Sequence, residues 1–236
     1  MDVTHPNTGR RAGLSQAKIT QAAKTLTREH GLENWSIRDL AQHLQVAPSV
    51  IYHYFANRDA IVNAIIGQLV GAVPLPDGNL EWKAWFMALA QNIRPVLLAH
   101  PGVTERMMYG NLSAEMLPIL EESFRKLHEA GFRHYAPQAY TMILNTILWI
   151  ITARNLRSPT RGKQRHDLNQ MVAQMQVLAA KSPTLAEMVQ NYFSPLSDPQ
   201  NEDQMSQEYF DLMMESMLAG LEITILPREA QVASEI

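Results

Sequence analysis

The chain has 236 residues, 46% hydrophobic and 18% charged, which is the balance of a folded globular protein rather than of a disordered segment. It contains no cysteine, which excludes disulfides, cysteine-ligated zinc and thiol catalysis. The net charge of −3 conceals an asymmetry, because residues 1–70 carry seven Lys/Arg against five Asp/Glu and the remainder carries 13 against 18. Positive charge in the N-terminal part favours phosphate binding there.

The sequence shows neither a secretion signal nor a membrane span. Residues 1–13 contain no apolar stretch flanked by positive charge, and no run of about 18 apolar residues occurs in the chain. We therefore expect a cytoplasmic protein that does not enter a membrane. Residues 1–13 are expected to form a flexible arm.

Two helices are predicted before residue 45. An apolar face repeats at helical spacing from Ile19 to Leu26 and predicts a first helix that Gly31 ends. Ser36 is then suited to cap a second helix, and Asp39 three residues later completes the pattern of a capping box. The apolar spacing continues for only nine residues, so this second helix is short.

Two further helices follow at short intervals. Residues 45–47 form the connection, and Pro48 fits the first position of a helix because its missing N–H would be unpaired there anyway. The third helix is predicted over Pro48–Phe55. Asn57 caps a fourth helix, which Gly71 and the prolines beyond it end. Two short helices joined by a tight turn and supported by a longer first helix are typical of a helix-turn-helix, whose second helix enters the DNA major groove.

At these residues the sequence resembles the TetR family, the tetracycline-repressor-like transcriptional regulators. The matching segments are Leu14-Ser15, Ala22-Ala23, Gly31-Leu32, Ser36-Ile37-Arg38-Asp39-Leu40-Ala41, Val46, Ile51-Tyr52-His53-Tyr54-Phe55 and Asn57-Arg58-Asp59. The resemblance implies an N-terminal three-helix helix-turn-helix module that a linking helix joins to a larger helical domain for effector binding and dimerisation.

The sequence departs from the family pattern in two places. Gln45 stands where the family usually has glycine, because the turn needs a residue in the left-handed conformation. The run Pro48-Ser49-Val50 replaces a common Ser-x-Gly or Ser-x-Ala pattern. The second departure bears on the operator sequence rather than on the fold.

The resemblance also implies which side chains contact DNA. Residues expected on the phosphate backbone are Arg38, Tyr52, His53 and Arg58, and Ser36 is a further expected DNA-binding residue. Residues expected to read base edges are Ala47, Pro48, Ser49 and Val50, with Tyr54 as a further candidate. Ile51 and Phe55 are expected in the core. Since Ala, Pro and Val offer no side-chain hydrogen bonds, readout is expected to depend on thymine methyl groups and DNA shape. Arg10 and Arg11 in the arm are candidates for an adjacent minor groove.

Beyond a break at residues 74–78 the pattern is helical and strand signals are essentially missing, so the predicted fold class is all-α. Helices are predicted over Leu80–His100, Ala114–Ala130, Pro137–Leu156, Lys163–Ala180, Leu185–Phe193 and Gln204–Ile225, with a short turn at Val103–Met108. Flexible loops are predicted at residues 158–162 and Ser194–Asp203. We expect residues 14–73 to bind DNA and residues 79–236 to bind an effector and dimerise.

Methionines and aromatic residues indicate a small-molecule pocket within residues 80–156. Twelve of the 13 methionines lie beyond residue 74, and such flexible side chains adapt to apolar ligands, although core packing explains any single one. Candidate effector-binding residues are Phe86, His100, Met107, Met108, Phe124, Met142 and Asn145.

The segment of residues 97–102 resembles the helix end of the tetracycline repressors, where a histidine holds a drug-bound magnesium ion. This likeness implies a ligand role for His100, whereas the alternative is a helix-terminal histidine that faces the helix dipole. No nucleotide fingerprint and no metal-spaced set of histidines and carboxylates is present. No cofactor and no resident metal are therefore expected.

The resemblance further implies a homodimer that pairs two long helices from each subunit. One candidate face is Ile143, Ile147, Ile150 and Ala153, and the other is Phe210, Met213, Met217 and Leu221. Either face is equally compatible with internal core. A dimer places two recognition helices about 34 Å apart, as successive major grooves of a palindrome require.

The expected function is that of a sequence-specific DNA-binding regulator, a repressor that a small-molecule effector releases from its operator. Repression rather than activation follows from the family's habit alone. A helical protein-binding adaptor without sequence-specific DNA binding is the alternative. An enzyme using His100, Glu105 and Asp77 is not expected, because no nucleophile-base spacing supports it.

Overall fold

The computed structural model describes residues 13–110, 113–160 and 167–235, and these ranges contain helices and no strand. The helices are α1 Gln16–His30, α2 Ile37–His43, α3 Pro48–Tyr52, α4 Arg58–Gly71, α5 Trp82–Leu98, α6 Val103–Met107, α7 Leu117–Glu129, α8 Ala136–Asn155, α9 Leu168–Ala179, α10 Pro183–Met188, α11 Ser194–Ser197, α12 Glu202–Thr224 and α13 Leu226–Glu235. Short 3-10 turns lie at Leu32–Asn34 and Ala114–Met116, and a π-helical turn lies at Val189–Phe193. The predicted all-α class is confirmed.

Side-chain caps begin three helices of the N-terminal module, and two of these caps, Ser36 and Asn57, were predicted. The Ser15 hydroxyl accepts from the Lys18 amide at 3.2 Å. Ser36 and Asp39 form a complete capping box, with Asp39 Oδ2 accepting from the Ser36 amide at 2.7 Å and the Ser36 hydroxyl accepting from the Asp39 amide at 3.3 Å. Asn57 Oδ1 accepts from the Ala60 amide at 2.9 Å and begins α4. Each cap satisfies an amide that lacks an intrahelical partner.

The turn between α2 and α3 has the predicted conformation. Gln45 has a φ of 55°, the left-handed value that the family meets with glycine. The amide of Val46 donates to the carbonyl of Ala41 at 2.9 Å and closes the turn. Pro48 occupies the first turn of α3 as predicted. The helix ends at Tyr52, three residues earlier than predicted, although the amide of Phe55 still donates to the Ile51 carbonyl at 3.0 Å.

A core of interlocking side chains holds the module together. Ile19 and Ala23 of α1, Leu40 of α2, Ile51 of α3 and Ile61 of α4 are all fully buried. Phe55 is buried as well, so the prediction that Ile51 and Phe55 belong to the core is confirmed. Trp35 lies between α1 and α2, and its indole N–H donates to the buried Thr27 hydroxyl at 2.9 Å.

Two seams join the module to the larger domain. The amide of Leu32 donates to the carbonyl of Pro101 at 2.7 Å, and Gly102 beside it has a φ of 95°. A Cβ on Gly102 would lie 2.8 Å from the Leu32 Cβ, so the close approach requires glycine there. In the linker, the buried ammonium of Lys126 donates to the carbonyls of Gly78 and Leu80 at 2.6 and 2.7 Å. The linker is thereby fixed against α7.

The larger domain is a bundle in which α8 packs against α5, α7 and α12. Its buried interior includes Trp85, Phe86 and Phe132, whose rings meet Trp82 or one another edge-on. Helices α9 to α11 pack mainly on one another and contact α12 through α11. None of the helices in the described ranges is both long and apolar enough to span a bilayer.

Two predictions about the C-terminal region were wrong. Residues Ser194–Asp203 were expected to form a flexible loop, but they contain α11 and the start of α12. A proline in the first turn of α11 is compatible with a helix, which the composition alone did not reveal. Helix α13 was not predicted at all. A loop was expected at residues 158–162 and a helix from Lys163. Residues 161–166, which include parts of both, lie outside the described part of the chain.

Candidate nucleic-acid interface and effector cavity

The residues predicted to meet DNA form an exposed surface around α3. Ala47, Pro48 and Ser49 lie exposed at the start of the helix, while Val50 is half-buried. Tyr52 is 53% exposed and His53 beside it is exposed, so both phosphate-contact candidates are accessible at the other end of α3. The buried Ile51 orients the helix beneath this surface.

Arg38 on α2 is an accessible cation beside α3. Its side chain is exposed, and within the described ranges no carboxylate pairs with it. Ser36 is exposed at the start of the same helix, but its hydroxyl already donates to Asp39 Oδ2 at 2.7 Å. Hydrogen bonds from Ser36 hold the pKa of Asp39 below its usual range. The capping box therefore fixes the start of the helix that carries Arg38, while the Ser36 hydroxyl is engaged by Asp39.

Arg58 and Tyr54 are less available to DNA than the sequence suggested. Arg58 donates to the carbonyl of Leu32 and lies over the Trp35 ring at 4.7 Å from its centre. The Tyr54 hydroxyl donates to the carbonyl of Leu14 at 3.0 Å and ties α3 to the start of α1. These interactions position the module's helices. Arg10 and Arg11, the candidates for a minor groove, lie outside the described residues.

A largely apolar cavity of about 110 Å³ lies among α4, α5, α6, α7 and α8. The lining residues include Val70, Phe86, Leu89, Ile93, Met107, Met116, Ile119, Tyr140, Ile143 and Ile147. Polar atoms are few, and the Ser123 hydroxyl among them already donates to the Ile119 carbonyl at 2.7 Å. Burial raises the pKa of the Tyr140 phenol, so its hydroxyl stays protonated at neutral pH.

Only two of the predicted effector residues line this cavity, namely Phe86 and Met107. Met108 is 41% exposed and Met142 is 40% exposed, and Asn145 is exposed on the same side of α8 as Met142. Phe124 is not among the lining residues, but its ring lies 5.4 Å from the ring of Tyr140, which is one of them.

The helix rotation explains these misplacements. Ile143 and Ile147 point inward from α8, and residues one position away from an inward position lie on a different face. On α5, the helical spacing of Phe86, Leu89 and Ile93 is a signal that would have found Leu89 and Ile93, two of the lining residues that were missed.

His100 lies outside the cavity. It contributes to a separate cleft of about 360 Å³ between α1, α4 and the end of α5. Its Nδ1 donates to the carbonyl of Val96 at 2.7 Å. Burial and the nearby Lys24 and Arg28 lower the pKa of His100, against the raising effect of that hydrogen bond. No group of three or more histidines and carboxylates in the described ranges is arranged to hold a metal ion.

Helix α4 connects the cavity to the DNA-binding module. Val70 of α4 is part of the cavity wall, and the same helix packs against α1. A Cβ on Gly71 would lie 2.6 Å from the carbonyl oxygen of Glu115, so α4 touches the 3-10 turn beside the cavity backbone to backbone. On α6, Met107 lines the cavity while Arg106 donates to Asp59 of α4 at 2.8 Å. Helix α4 is therefore in contact both with the DNA-binding module and with the elements around the cavity.

The outer faces of α8 and α12 carry exposed apolar side chains. Trp149 is 67% exposed on α8, and Leu212 and Ile223 are 60% and 72% exposed on α12. The faces predicted for dimerisation are instead largely internal, because Ile143, Ile147, Ile150, Phe210 and Leu221 are buried. Both periodicities exist on each helix, and only the packing shows which one faces outward.

Family models match nearly the whole of this architecture. The family described as "Bacterial regulatory proteins, tetR family" matches residues 19–65, and "Tetracyclin repressor-like, C-terminal domain" matches residues 75–225. The chain belongs to the TetR family. A TetR protein is a transcriptional regulator, with an N-terminal DNA-binding domain and a C-terminal ligand-binding domain.

Individual TetR relatives are more distant. An HTH-type transcriptional regulator of Saccharopolyspora erythraea is 32% identical over 89 residues, which are 37% of this chain and 38% of the relative. The class A tetracycline repressor from transposon 1721 of Escherichia coli is 26% identical over 122 residues, 50% of this chain and 56% of the relative. The matches thus span about half or less of these relatives' lengths.

A solved TetR structure covers more of the chain. ActR of Streptomyces coelicolor in complex with (S)-DNPA superposes with a TM-score of 0.67 at 22% identity, over 90% of this chain and 98% of ActR. At this identity the superposition shows the shared fold.

Proposed function

We propose that the protein is a homodimeric repressor whose operator complex is dissolved by a small, largely apolar effector. Residues 14–73 bind the operator, and residues 79–236 bind the effector and dimerise. The observation that carries this proposal is the double role of α4, which packs in the DNA-binding module and also forms a wall of the apolar cavity. Such a regulator acts by binding rather than by catalysis, and it works in the cytoplasm, where bacterial DNA is.

In the proposed complex, α3 enters the major groove and the exposed residues at its start face base edges. Ala47 and Pro48 offer only apolar contacts, so Ser49 supplies the side-chain hydrogen bond from this segment. Phosphates are contacted by Arg38 of α2 and by Tyr52 and His53 at the C-terminal end of α3. Their charge and hydroxyl groups fix the orientation of the helix. We assign Arg58 and Tyr54 to holding the module's helices, given their internal bonds.

The size of the cavity indicates how an effector acts. Ligand pockets usually enclose about 300–1,000 Å³, whereas this cavity has about 110 Å³. A ligand larger than a benzene-sized molecule therefore enters only by displacing the surrounding helices. We expect it to be apolar, with one polar group that meets the Tyr140 hydroxyl. The complex of ActR with (S)-DNPA supports ligand binding in this fold.

Displacement reaches the DNA through two contacts on α4. The 3-10 turn at Ala114–Met116 touches Gly71, and Arg106 pairs with Asp59 at the opposite end of the helix. An effector that moves α6 and α7 changes both, and α4 rotates the module. A shift from 1:99 to 99:1 between the two states needs a preference of roughly 5.5 kcal/mol by the effector for the released state.

The proposed dimer buries the exposed faces of α8 and α12. Exposed apolar side chains lie along both helices, which pack against each other, namely Met142 and Trp149 on α8 and Tyr209, Leu212 and Ile223 on α12. Two such pairs make a four-helix interface. This arrangement presents two copies of α3 to one palindrome.

The deciding experiment is footprinting on the DNA that flanks the gene, with random-sequence competitor at about 150 mM salt. A protected palindrome with half-sites one or one and a half helical turns apart supports the regulator. Binding that the competitor removes equally contradicts sequence-specific recognition and favours the adaptor alternative. An effector screen on the protected fragment then tests release.

A further inference from the structure

A second concave site lies between the two domains, apart from the apolar cavity. Its walls come from α1 of the DNA-binding module, the C-terminal end of α4, and the end of α5 in the larger domain. It has a volume of about 360 Å³ and shares no lining residue with the apolar cavity. Any molecule bound here touches both domains at once.

The cleft is lined by positive charge with no negative charge. Lys24 and Arg28 lie one turn apart on α1, and His100 faces them from the end of α5. No Asp or Glu lines the cleft, and among the described residues neither Lys24 nor Arg28 forms an ion pair. The effect of Lys24 and Arg28 on the pKa of His100 has the sign expected for close, unneutralised cations. Cations of like sign gathered in a concave site gain most from a bound anion.

The rest of the lining is suited to an organic molecule. Leu69 and Val96 provide apolar surface, while Gln21 and Gln68 provide amide groups. The His100 Nδ1 donates to the Val96 carbonyl, so Nε2 of the neutral ring is an acceptor, available to a hydroxyl or N–H group of a ligand. An arginine and a lysine offer a planar donor fork and a mobile point charge, the pair that suits an oxyanion.

We infer that this cleft binds a small organic anion, a phosphate ester or a carboxylate, with the charged group on Lys24 and Arg28 and the apolar part on Leu69 and Val96. The anion bridges α1 and α5 and stabilises one orientation of the DNA-binding module relative to the larger domain. It acts as a second input to the regulator, separate from the apolar effector.

Binding is measured without DNA, so that the result is independent of operator recognition. Phenyl phosphate, benzoate and inorganic phosphate are titrated at constant ionic strength into full-length protein with isotope-labelled histidine, and the His100 ring signals are followed by NMR. We expect saturable shifts of His100. If phenyl phosphate binds most tightly, the ligand is a phosphate ester, and if benzoate binds most tightly, it is a carboxylate. If inorganic phosphate binds as tightly as phenyl phosphate, the ligand is free phosphate.

Charge variants test the assignment. Lys24→Gln and Arg28→Gln are each expected to weaken binding about tenfold, as expected for one lost charge-assisted hydrogen bond. Lys24→Arg keeps the charge and retains binding, and Lys181→Gln, an exposed lysine outside the cleft, matches the charge change without effect. Circular dichroism verifies that each variant is folded. Absence of saturable His100 shifts, or equal weakening by Lys181→Gln, overturns the inference.

Discussion

Arg38 and Arg58 are two arginines in one helix-turn-helix, and their surroundings give them different tasks. Arg38 extends from α2 into solvent, whereas Arg58 is directed inward to the Leu32 carbonyl and the Trp35 ring. A guanidinium that already has internal partners gains little from a phosphate. We therefore expect substitutions of these two arginines to separate DNA affinity from the stability of the module.

We predict that Arg38→Ala weakens operator binding without lowering the melting temperature. The loss of one phosphate contact reduces the slope of log K against log salt by about 0.9. Fluorescence anisotropy with operator DNA over a range of salt concentrations measures this slope.

Arg58→Ala is the matched control, because it removes the same charge from the same module. It should lower the stability of the protein by about 1–3 kcal/mol through the lost buried hydrogen bond and ring contact. An unchanged salt slope in Arg38→Ala would contradict the assignment of Arg38 to a phosphate.

At the scale of elements, α4 approaches the turn before α7 closely. A Cβ on Gly71 would meet a backbone oxygen of Glu115, whereas one on Gly67 would meet chiefly the side-chain ends of Ser113 and Glu115. Backbone cannot rotate away, but side-chain ends can. Substitution of Gly71 by alanine should therefore disturb this interface more than substitution of Gly67.

We predict that Gly71→Ala lowers operator affinity about tenfold even without effector, through overpacking that costs about 1–3 kcal/mol. The methyl group pushes α4 away from residues 114–116, in the direction proposed for effector binding. Mobility-shift titrations of Gly71→Ala and of the milder Gly67→Ala give the comparison. Equal affinities for Gly71→Ala and the parent protein would exclude this contact as the coupling route.

One carboxylate links helix α13 to the start of α8. Glu229 accepts from the amides of Arg133, His134 and Tyr135 at 2.9, 3.0 and 2.7 Å, immediately before α8. Burial alone raises the pKa of Glu229, but the three hydrogen bonds outweigh it and leave the pKa below the ordinary value of 4.5. A carboxylate whose pKa is lowered by folding stabilises the protein at any pH above its pKa in the unfolded state. This stabilisation is lost as the pH falls through its pKa in the folded state.

We predict that Glu229→Gln lowers stability by about 0.5–1 kcal/mol at neutral pH. The difference from the parent protein should shrink as the pH falls below 4.5, because the parent's carboxylate is then protonated too. Thermal unfolding at neutral and acidic pH measures it, with Glu215→Gln on the exposed side of α12 as control. A difference that persists unchanged in acid would show that Glu229 acts through packing alone.

The sequence predicted local features better than tertiary ones. Caps such as Ser36 with Asp39, and the left-handed Gln45, depend on neighbours within a few residues and were predicted correctly. Which face of α8 looks inward depends on α5, α7 and α12 together, so Met142 and Asn145 were placed in the cavity although they lie outside it. The inward direction of Arg58 likewise depends on Trp35, 23 positions away in sequence.

For the whole molecule, symmetry multiplies the effect of a single surface residue. Trp149 is 67% exposed on α8, one of the two helices of the proposed interface, and in a two-fold dimer each substitution occurs twice. We predict that Trp149→Glu raises the dimer dissociation constant about thirtyfold or more, the loss expected for an interface hot spot. Analytical ultracentrifugation measures the dissociation constant.

Operator affinity should fall in parallel, because a monomer places only one α3 on the palindrome. Tyr109→Glu provides the control, since Tyr109 is exposed on a different part of the molecule. If the Trp149→Glu protein remains fully dimeric at nanomolar concentration, the dimer interface does not lie on this face of α8.

The contact between Gly71 and Glu115 also bears on how such proteins are recombined. Helix α4 belongs to both domains, since its side chains complete the core of the DNA-binding module and the wall of the cavity. A chimera cut at the linker, between residues 74 and 78, separates α4 from the backbone it was shaped to touch. Exchanging operator specificities therefore calls for transplanting residues 113–116 together with the first 73, or for grafting only the surface of α3 onto an intact partner.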